Sequence, residues 1–169
     1  ATAEDSAGLI WIGTTSGLNR YDGYTVTTFY QDPADPHSLS SSYIQALYED
    51  RTGVLWVGTR AGLNAFDRRT EQFTHYRHDP ADPRSLADDV VQAVFEDSAG
   101  ALWVGTAGGL SRLDRANGSF DTYTHTPDNP ASLSHRSVWA IAEGRPGYLW
   151  IGTTRGGLNR LEVATGQSV

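Results

Sequence analysis

A seven-residue segment that occurs four times in this chain limits its possible folds more than any other feature. Its copies run from Gly8 to Thr14, from Gly53 to Thr59, from Gly100 to Thr106 and from Gly147 to Thr153, each with tryptophan at the fourth position. The tryptophans are spaced by 45, 47 and 47 residues. Such a period indicates that one structural unit is repeated along the chain.

Each period contains four short segments of β-branched and aromatic residues, separated by glycine, asparagine and aspartate, which is the pattern of strands and hairpins. In the second period these segments are residues 43–50, 54–59, 63–67 and 72–78. Asp22-Gly23 and Asn117-Gly118 lie where a tight hairpin turn needs positive φ. No segment shows a helical period, and the sequence therefore predicts an all-β protein.

Four short strands repeated every ~40 to 50 residues are typical of the blades of a β-propeller. We expect one domain over residues 1–169, an arc of about four four-stranded antiparallel blades. The blades are expected at residues 1–33, 43–80, 90–127 and 137–169. The first and last are expected to be incomplete, because Ala1–Asp5 matches only the end of a first strand and Val169 lies where a fourth strand begins. With no methionine in the chain, we expect a fragment of a larger propeller.

The composition excludes several kinds of site. The chain has no cysteine, which excludes disulfides, zinc–thiolate sites and a thiol nucleophile. Its net charge of −7 argues against a broad nucleic-acid-binding surface. No apolar segment approaches the ~20 residues of a membrane-spanning helix, so we expect no membrane contact by this segment.

The repeated residues resemble the two-component regulator propeller repeat. The matching motifs are Gly-x-Leu-Trp-(Val/Ile)-Gly-Thr, Gly-Leu-Asn-Arg at 17–20 and 157–160, and an Asp-Pro-x-Asp-Pro-x-Ser-Leu link at 32–39 and 79–86. The resemblance implies a seven-bladed sensor propeller on the periplasmic or extracellular side of a bacterial membrane protein. It also implies a histidine kinase in the parent chain, sensing of oligosaccharides, a homodimer, and contact with the remaining blades of the parent.

Residues that recur in every blade are best interpreted as scaffold. Four of them are the tryptophans expected to pack between blades, namely Trp11, Trp56, Trp103 and Trp150. The recurring glutamates Glu4, Glu49, Glu96 and Glu143 are expected to accept backbone hydrogen bonds near a turn, because an unpaired buried carboxylate is costly. The aspartates of the links could form a calcium loop, but the alternating prolines favour a stiff crossing, and we expect no metal and no cofactor.

A ligand without symmetry requires positions at which the blades differ. In an up-and-down blade, the second-to-third turns and the blade-to-blade links lie on the same face, and this face varies most between repeats. The candidate ligand-binding residues there are Tyr43, Arg60, Asp88, Asp89, His135, Arg136, Trp139 and Arg155. Arginines, acids and an aromatic side chain suit a small polar or anionic sugar, through forked hydrogen bonds and ring stacking.

Two other functions are open. One is an enzyme similar to streptogramin lyases, which would need a histidine, glutamate and metal cluster on one face, with His135 as a base beside Asp88 or Asp89. The other is a protein-interaction scaffold without a small ligand. No phosphate-binding loop or nucleophile motif occurs. We therefore expect a ligand-binding sensor domain and no catalytic residues in this segment.

Overall fold

The computed structural model describes residues 1–169 and contains sixteen strands in four antiparallel sheets. Blade 1 consists of β1 (Thr2–Glu4), β2 (Ile10–Gly13), β3 (Leu18–Tyr21) and β4 (Val26–Phe29). Blade 2 consists of β5 (Ile44–Glu49), β6 (Leu55–Thr59), β7 (Gly62–Asp67) and β8 (Gln72–Tyr76). Blade 3 consists of β9 (Val91–Glu96), β10 (Leu102–Thr106), β11 (Leu110–Asp114) and β12 (Ser119–Tyr123). Blade 4 consists of β13 (Val138–Glu143), β14 (Tyr148–Thr153), β15 (Gly157–Glu162) and β16 (Gln167–Ser168).

Each sheet is an up-and-down meander, and the first strands of the blades contact one another in the order β1, β5, β9, β13. This is the propeller architecture predicted from the repeat. One detail differs from expectation, because the last blade does have an outer strand. β16 is only two residues long, and its Ser168 and Gln167 pair with Leu161 and Glu162 of β15. The structure contains no helix that could cross a membrane.

The core lies between the blades and repeats with them. Trp11 packs on Leu55, Val57 and Phe66 of the next blade, and the other two junctions form equivalent clusters around Trp56 and Trp103. These three indoles are 0 to 3% exposed. Apolar burial of this extent is the main force that holds consecutive blades together.

The aspartate that ends the first strand of a blade fixes the indole of that blade. Asp5, Asp50 and Asp97 accept the Nε1–H of Trp11, Trp56 and Trp103 at 2.7, 2.7 and 2.8 Å. The same carboxylates accept backbone amides of the turn that follows, such as Leu9 N at 2.9 Å. This aspartate is therefore the reason that the turn and the tryptophan keep the same arrangement in three blades.

The recurring glutamates accept backbone hydrogen bonds at a turn, as predicted, and the turn belongs to the neighbouring blade. Glu49 accepts the backbone N–H of Ser6 at 2.6 Å, and Glu143 accepts that of Ser98 at 2.8 Å. In the middle junction Glu96 accepts the N–H of Arg51 at 2.8 Å. In each case the carboxylate of one blade holds the first turn of the blade before it.

Blade 4 differs from the other three blades around its tryptophan. Gly144 stands where the others have aspartate, so the indole of Trp150 has no such partner. Trp150 is 41% exposed, whereas the sequence placed it in the core with the other three tryptophans. The side of blade 4 that faces away from blade 3 has no further blade against it, and this is why the fourth indole contacts solvent.

Candidate ligand-binding site

The links between blades and the second-to-third turns lie on one face of the molecule, which we call the link face. Its links are residues 30–43, 77–90 and 124–137, and its turns are residues 14–17, 60–61, 107–109 and 154–156. Backbone hydrogen bonds join the two sets, as between Gly62 N and Asp89 O at 2.7 Å and between Thr154 N and Ser137 O at 3.1 Å. These bonds confirm the expectation from the sequence that the links and the second-to-third turns lie on the same face.

Each link is a rigid pair of turns. In the first link, Asp32 Oδ1 accepts Ala34 N and Asp35 Oδ1 accepts His37 N, both at 2.9 Å. Ser38 closes the segment by accepting Asp32 N at 2.9 Å, while Leu39 is buried beneath it. The aspartates thus serve as acceptors for turn amides. No group of three histidine, aspartate or glutamate side chains is placed to hold a metal ion.

Histidines close the links internally and asparagines hold the links to the blades, and sequence reasoning missed both. Nδ1 of His78 and of His125 donates to the carbonyls of Leu86 and Leu133 at 2.7 Å. Asn64 Oδ1 accepts Ser40 N at 2.9 Å, and the same amide group donates to Val57 O at 3.1 Å. Their recurrence in equivalent places was the available signal, since a polar residue repeated beside apolar strands indicates a buried hydrogen bond.

Tyr43 and Arg60 form the closest contact among the predicted site residues. The guanidinium of Arg60 lies 3.8 Å from the centre of the Tyr43 ring, which is the geometry of a cation–π interaction. The ring is half-buried and the arginine remains exposed. The pair therefore presents a positive, flat surface at the entrance to blade 2.

Asp88 and Asp89 are already engaged by the backbone of the link. Asp88 Oδ1 accepts Val90 N at 2.8 Å, and Asp89 Oδ1 accepts His78 N at 2.8 Å. His135 makes a similar local bond, with Nδ1 accepting Ser137 N at 3.1 Å. None of the three hydrogen-bonds to another, so the structure does not bring His135 together with Asp88 or Asp89 as a base and its partner.

Blade 4 carries the most open group of candidate residues. Arg136 and Arg155 are exposed and have no hydrogen bond or ion pair. Their neighbours in the sequence, Ser137 and Thr154, are joined by two hydrogen bonds, from Thr154 N to Ser137 O at 3.1 Å and from the hydroxyl of Thr154 to that of Ser137 at 2.9 Å. These bonds bring the backbone positions of two unpaired arginines together, on a chain whose net charge is −7.

Trp139 is the third exposed candidate residue of blade 4 and lies in its first strand. The strand register slips between Val138 and Ala140, so that Trp139 is the extra residue of a β-bulge. Bulges redirect a side chain away from the regular pleat. The equivalent residues Gln45 and Gln92 lie in the same bulge of blades 2 and 3, and Gln92 contacts Ser137 of the next blade. The indole of Trp139 therefore lies toward the free side of blade 4, where it is 52% exposed. We call Arg136, Trp139 and Arg155 the blade 4 cluster.

Comparison with known proteins agrees with the repeat motif. The model of the two component regulator propeller family matches residues 38–61, 85–108 and 132–155. Each match begins in the second half of a link and includes the first two strands of the next blade. This chain contains three two-component regulator propeller repeats. Each match ends within a second-to-third turn. No protein of curated function matches the sequence.

Several solved structures match nearly the whole chain in fold. The extracellular domain of BT3049 from B. thetaiotaomicron, described as a hybrid two component system, is 31% identical with a TM-score of 0.89. That of BT4673 from the same organism is 24% identical with a TM-score of 0.81. Each match covers 99% of this chain and 24% of the solved one, so these repeats span about a quarter of those domains. Virginiamycin B lyase from Staphylococcus aureus shares the fold alone, at 15% identity and a TM-score of 0.69.

Proposed function

We propose that the chain is part of the extracellular sensor propeller of a bacterial two-component system, and that it binds an oligosaccharide or a similar polar ligand on the link face. The propeller repeats and the 31% identity to the extracellular domain of a hybrid two component system support the sensor class. The remaining blades of a longer parent chain would continue the ring, and a histidine kinase in that parent would deliver the output.

The observation that carries the ligand proposal is the blade 4 cluster. Arg136 and Arg155 offer planar forks of N–H donors without a partner in the protein. Such forks bind carboxylate, sulfate or paired hydroxyl oxygens in two parallel hydrogen bonds. The exposed indole of Trp139 offers an apolar plate, on which the C–H face of a sugar ring can stack. Together these groups suit an oligosaccharide, preferably one that carries negative charge.

The rigidity of the link face supports the same proposal. The cluster stands on a link held by Ser132, Asn129 and the His125 side chain, so its backbone is ordered before a ligand arrives. Preorganised donors lose less entropy on binding. Because the link connects blades 3 and 4, a ligand held there can alter how the two blades pack, and a dimeric sensor can pass such a shift to its membrane-proximal part.

Titration calorimetry with a panel of neutral and uronic-acid-containing oligosaccharides tests the proposal. We expect binding of at least one acidic oligosaccharide, reduced about tenfold or more by Arg136→Ala or Arg155→Ala. Arg69→Ala is the matched control, because Arg69 is an exposed arginine in the third-to-fourth turn of blade 2, at the opposite end of the blades. The affinity of the Arg69→Ala variant for the oligosaccharide should equal that of the unmodified chain.

The competing functions predict different results from the same panel. A scaffold without a small ligand gives no heat with any oligosaccharide and retains a protein partner in a pull-down. An enzyme of the lyase kind consumes its substrate in the presence of Mg²⁺ and loses that activity on His135→Ala. Equal loss of affinity in Arg69→Ala and Arg136→Ala would remove the blade 4 cluster from the site.

A further inference from the structure

The junctions between consecutive blades all bury a tryptophan, but they differ in the charged contacts that cross them. We number them along the chain, so that the first junction joins blades 1 and 2. In the first junction Arg68 binds Asp5 at 2.7 Å, and in the second Arg115 binds Asp50 at 2.8 Å. Each arginine follows the third strand of one blade and reaches the aspartate beside the tryptophan of the blade before it. Because each aspartate is buried, separating these blades breaks an ion pair that is costly to lose.

The third junction has the aspartate but not the arginine. Val163 occupies the arginine position in blade 4. The side chain of Asp97 is 3% exposed and forms no ion pair. It accepts the indole N–H of Trp103 at 2.8 Å and the backbone amides of Ala99 and Ala101 at 3.0 and 2.9 Å, all from its own blade. The contact of this carboxylate with the next blade therefore contributes no charge attraction, and its burial without a cation opposes closing of the junction.

Aromatic contacts between blades differ in the same way. In the first junction Phe66 packs edge-on against Trp11, with ring centres 5.2 Å apart. In the second, Phe120 packs edge-on against Tyr76 at 5.8 Å. In the third, Ser168 occupies the position of Phe120, since both pair with the equivalent residue of the third strand. No aromatic pair crosses that junction, so it also lacks the additional attraction that such pairs provide.

Apolar packing still closes the third junction. Leu149, Ile151 and Leu161 of blade 4 cover Trp103, which is 0% exposed. In a repeat array each blade contacts its neighbours alone, so stability is approximately a sum of blade and junction contributions. Local opening then occurs first where the junction contribution is smallest. The third junction is therefore closed in the structure and is the one expected to open most readily.

The exposed arginines of blade 4 lie beside a hydrogen-bonded chain that crosses this junction. The hydroxyl of Thr154 donates to that of Ser137 at 2.9 Å, and the hydroxyl of Ser137 donates to Gln92 Oε1 of blade 3 at 3.2 Å. Arg136 precedes Ser137, and Arg155 follows Thr154. The candidate ligand-binding arginines are thus next in sequence to the residues that connect blade 4 with blade 3.

We propose that the third junction is a hinge, at which blade 4 opens from blade 3 while blades 1 to 3 remain packed as one unit. The missing arginine at Val163 and the missing aromatic ring at Ser168 cause it. Both residues lie at the junction itself, so the hinge belongs to this pair of blades in a chain of any length. The movement needs no ligand, and its use as a signal rests on the proposed function, because blade 4 carries the candidate site.

Hydrogen exchange of the indole N–H groups, followed by NMR in the 169-residue chain without ligand, tests the hinge. Trp11, Trp56 and Trp103 each report on one junction, because each indole is buried under the next blade and bonded to an aspartate. We expect the indole of Trp103 to exchange about tenfold or more faster than that of Trp11. The two probes are matched, since the first and third junctions each join a terminal blade of this chain to its neighbour.

Exchanging arginine and valine between these two junctions gives the second test. Val163→Arg should slow the exchange of the Trp103 indole about tenfold and leave that of Trp11 unchanged. Arg68→Val should accelerate the exchange of Trp11 by a similar factor and leave that of Trp103 unchanged. Ala164→Arg is the control, because it adds the same charge at an exposed position next to Val163 and should alter neither rate.

Equal exchange rates for Trp11 and Trp103 in the unmodified chain overturn the hinge, because the two junctions then open together or equally often. A folded Val163→Arg variant in which Trp103 exchanges as before overturns it too. If circular dichroism shows that this variant does not fold, Arg68→Val decides, and an unchanged rate for Trp11 contradicts the proposal. All these rates are measured without ligand, so their outcome is independent of whether the calorimetry supports the proposed function.

Discussion

The carboxylate of Asp50 in blade 2 lies 2.8 Å from the guanidinium of Arg115 in blade 3. The side chain of Asp50 is fully buried, and it also accepts the indole N–H of Trp56. Arg68 makes the same contact to Asp5 at the preceding junction, at 2.7 Å. Val163 takes the arginine position in blade 4, so the third junction relies on apolar packing and on Glu143. The ion pair thus locks the tryptophan of one blade to the edge of the next at two of three junctions.

Arg115→Ala should lower the free energy of unfolding by about 2 kcal/mol, because it leaves the buried Asp50 carboxylate without its cation. Urea denaturation at neutral pH measures this change. Arg84→Ala is the control, since Arg84 and Asp114 are 3.8 Å apart on the surface, and removal of such a pair costs under about 1 kcal/mol. Equal losses in the two variants would show that the Asp50 contact is no stronger than a surface pair.

Acid should weaken the junctions through the same carboxylate. Burial by itself would raise the pKa of Asp50, but hydrogen bonds from Thr52, Trp56 and Arg115 outweigh it and lower the pKa to about 2. The folded state therefore binds its proton less readily than the unfolded state, whose aspartate has a pKa near 3.8. The resulting stabilisation is present above about pH 4 and is lost as the pH falls toward about 2.

Asp50→Asn should consequently flatten the pH dependence of stability in this range. Urea midpoints measured between about pH 5 and about pH 2 should fall less steeply for this variant than for the unmodified chain. Asp121→Asn provides the comparison, because Asp121 is exposed and has no hydrogen bond through its side chain. If Asp121→Asn flattens the pH dependence as much as Asp50→Asn does, general charge repulsion governs the response to acid.

The repeat predicted the fold well because its period and alternation are local properties of the chain. The tryptophan spacing defined the blades, and strand parity placed Arg60 and Arg155 on the same face as the links. Contacts between blades were harder to predict, because they depend on which blade is next. Trp150 has the same local sequence as Trp103, yet only Trp103 has a neighbour to cover it.

The contacts of individual site residues were equally hard to predict from the sequence. The enzymatic alternative paired His135 with Asp88 or Asp89, but the side chains of His135 and Asp88 each accept a hydrogen bond from the backbone amide two residues ahead. Such a local bond costs little entropy, so a short polar side chain in a link forms it before it reaches a distant partner. Arg60 likewise stacks on Tyr43, a contact that separation by seventeen positions in the sequence does not reveal.

Gly58 should not tolerate alanine. A Cβ there would lie 2.6 Å from Cγ1 of Val91 in the next blade and 3.0 Å from Cβ of Ala46. The glycine of the repeated motif is therefore needed because a β-branched residue of the following blade packs directly on it. Gly58→Ala should lower the free energy of unfolding by about 1–3 kcal/mol, as overpacking does, and the urea midpoint should fall accordingly.

Gly152→Ala is the control for this prediction within the same chain. A Cβ at Gly152 would meet Ala140 Cβ of its own blade at 3.2 Å and no residue of a following blade. Because Ala140 is exposed and can shift, stability should change by less than about 0.5 kcal/mol. If the two substitutions lower the free energy of unfolding equally, the motif needs glycine for its own backbone conformation and not because a residue of the next blade packs on it.

Gln45 offers a way to stabilise the chain, because its buried Oε1 has no hydrogen-bond partner. In blade 3 the equivalent Gln92 Oε1 accepts the hydroxyl of Ser137 at 3.2 Å, and the residue that corresponds to Ser137 for Gln45 is Val90. Val90→Thr replaces a methyl group by a hydroxyl of similar size, and we expect it to raise the free energy of unfolding by about 1 kcal/mol. Ser137→Ala changes stability in the opposite direction, since it removes the donor to Gln92 and also the acceptor of the Thr154 hydroxyl, and it should cost at least about 1 kcal/mol. Urea denaturation measures the change in unfolding free energy for both variants. A loss of stability in Val90→Thr would show that Gln45 Oε1 finds its hydrogen bond elsewhere.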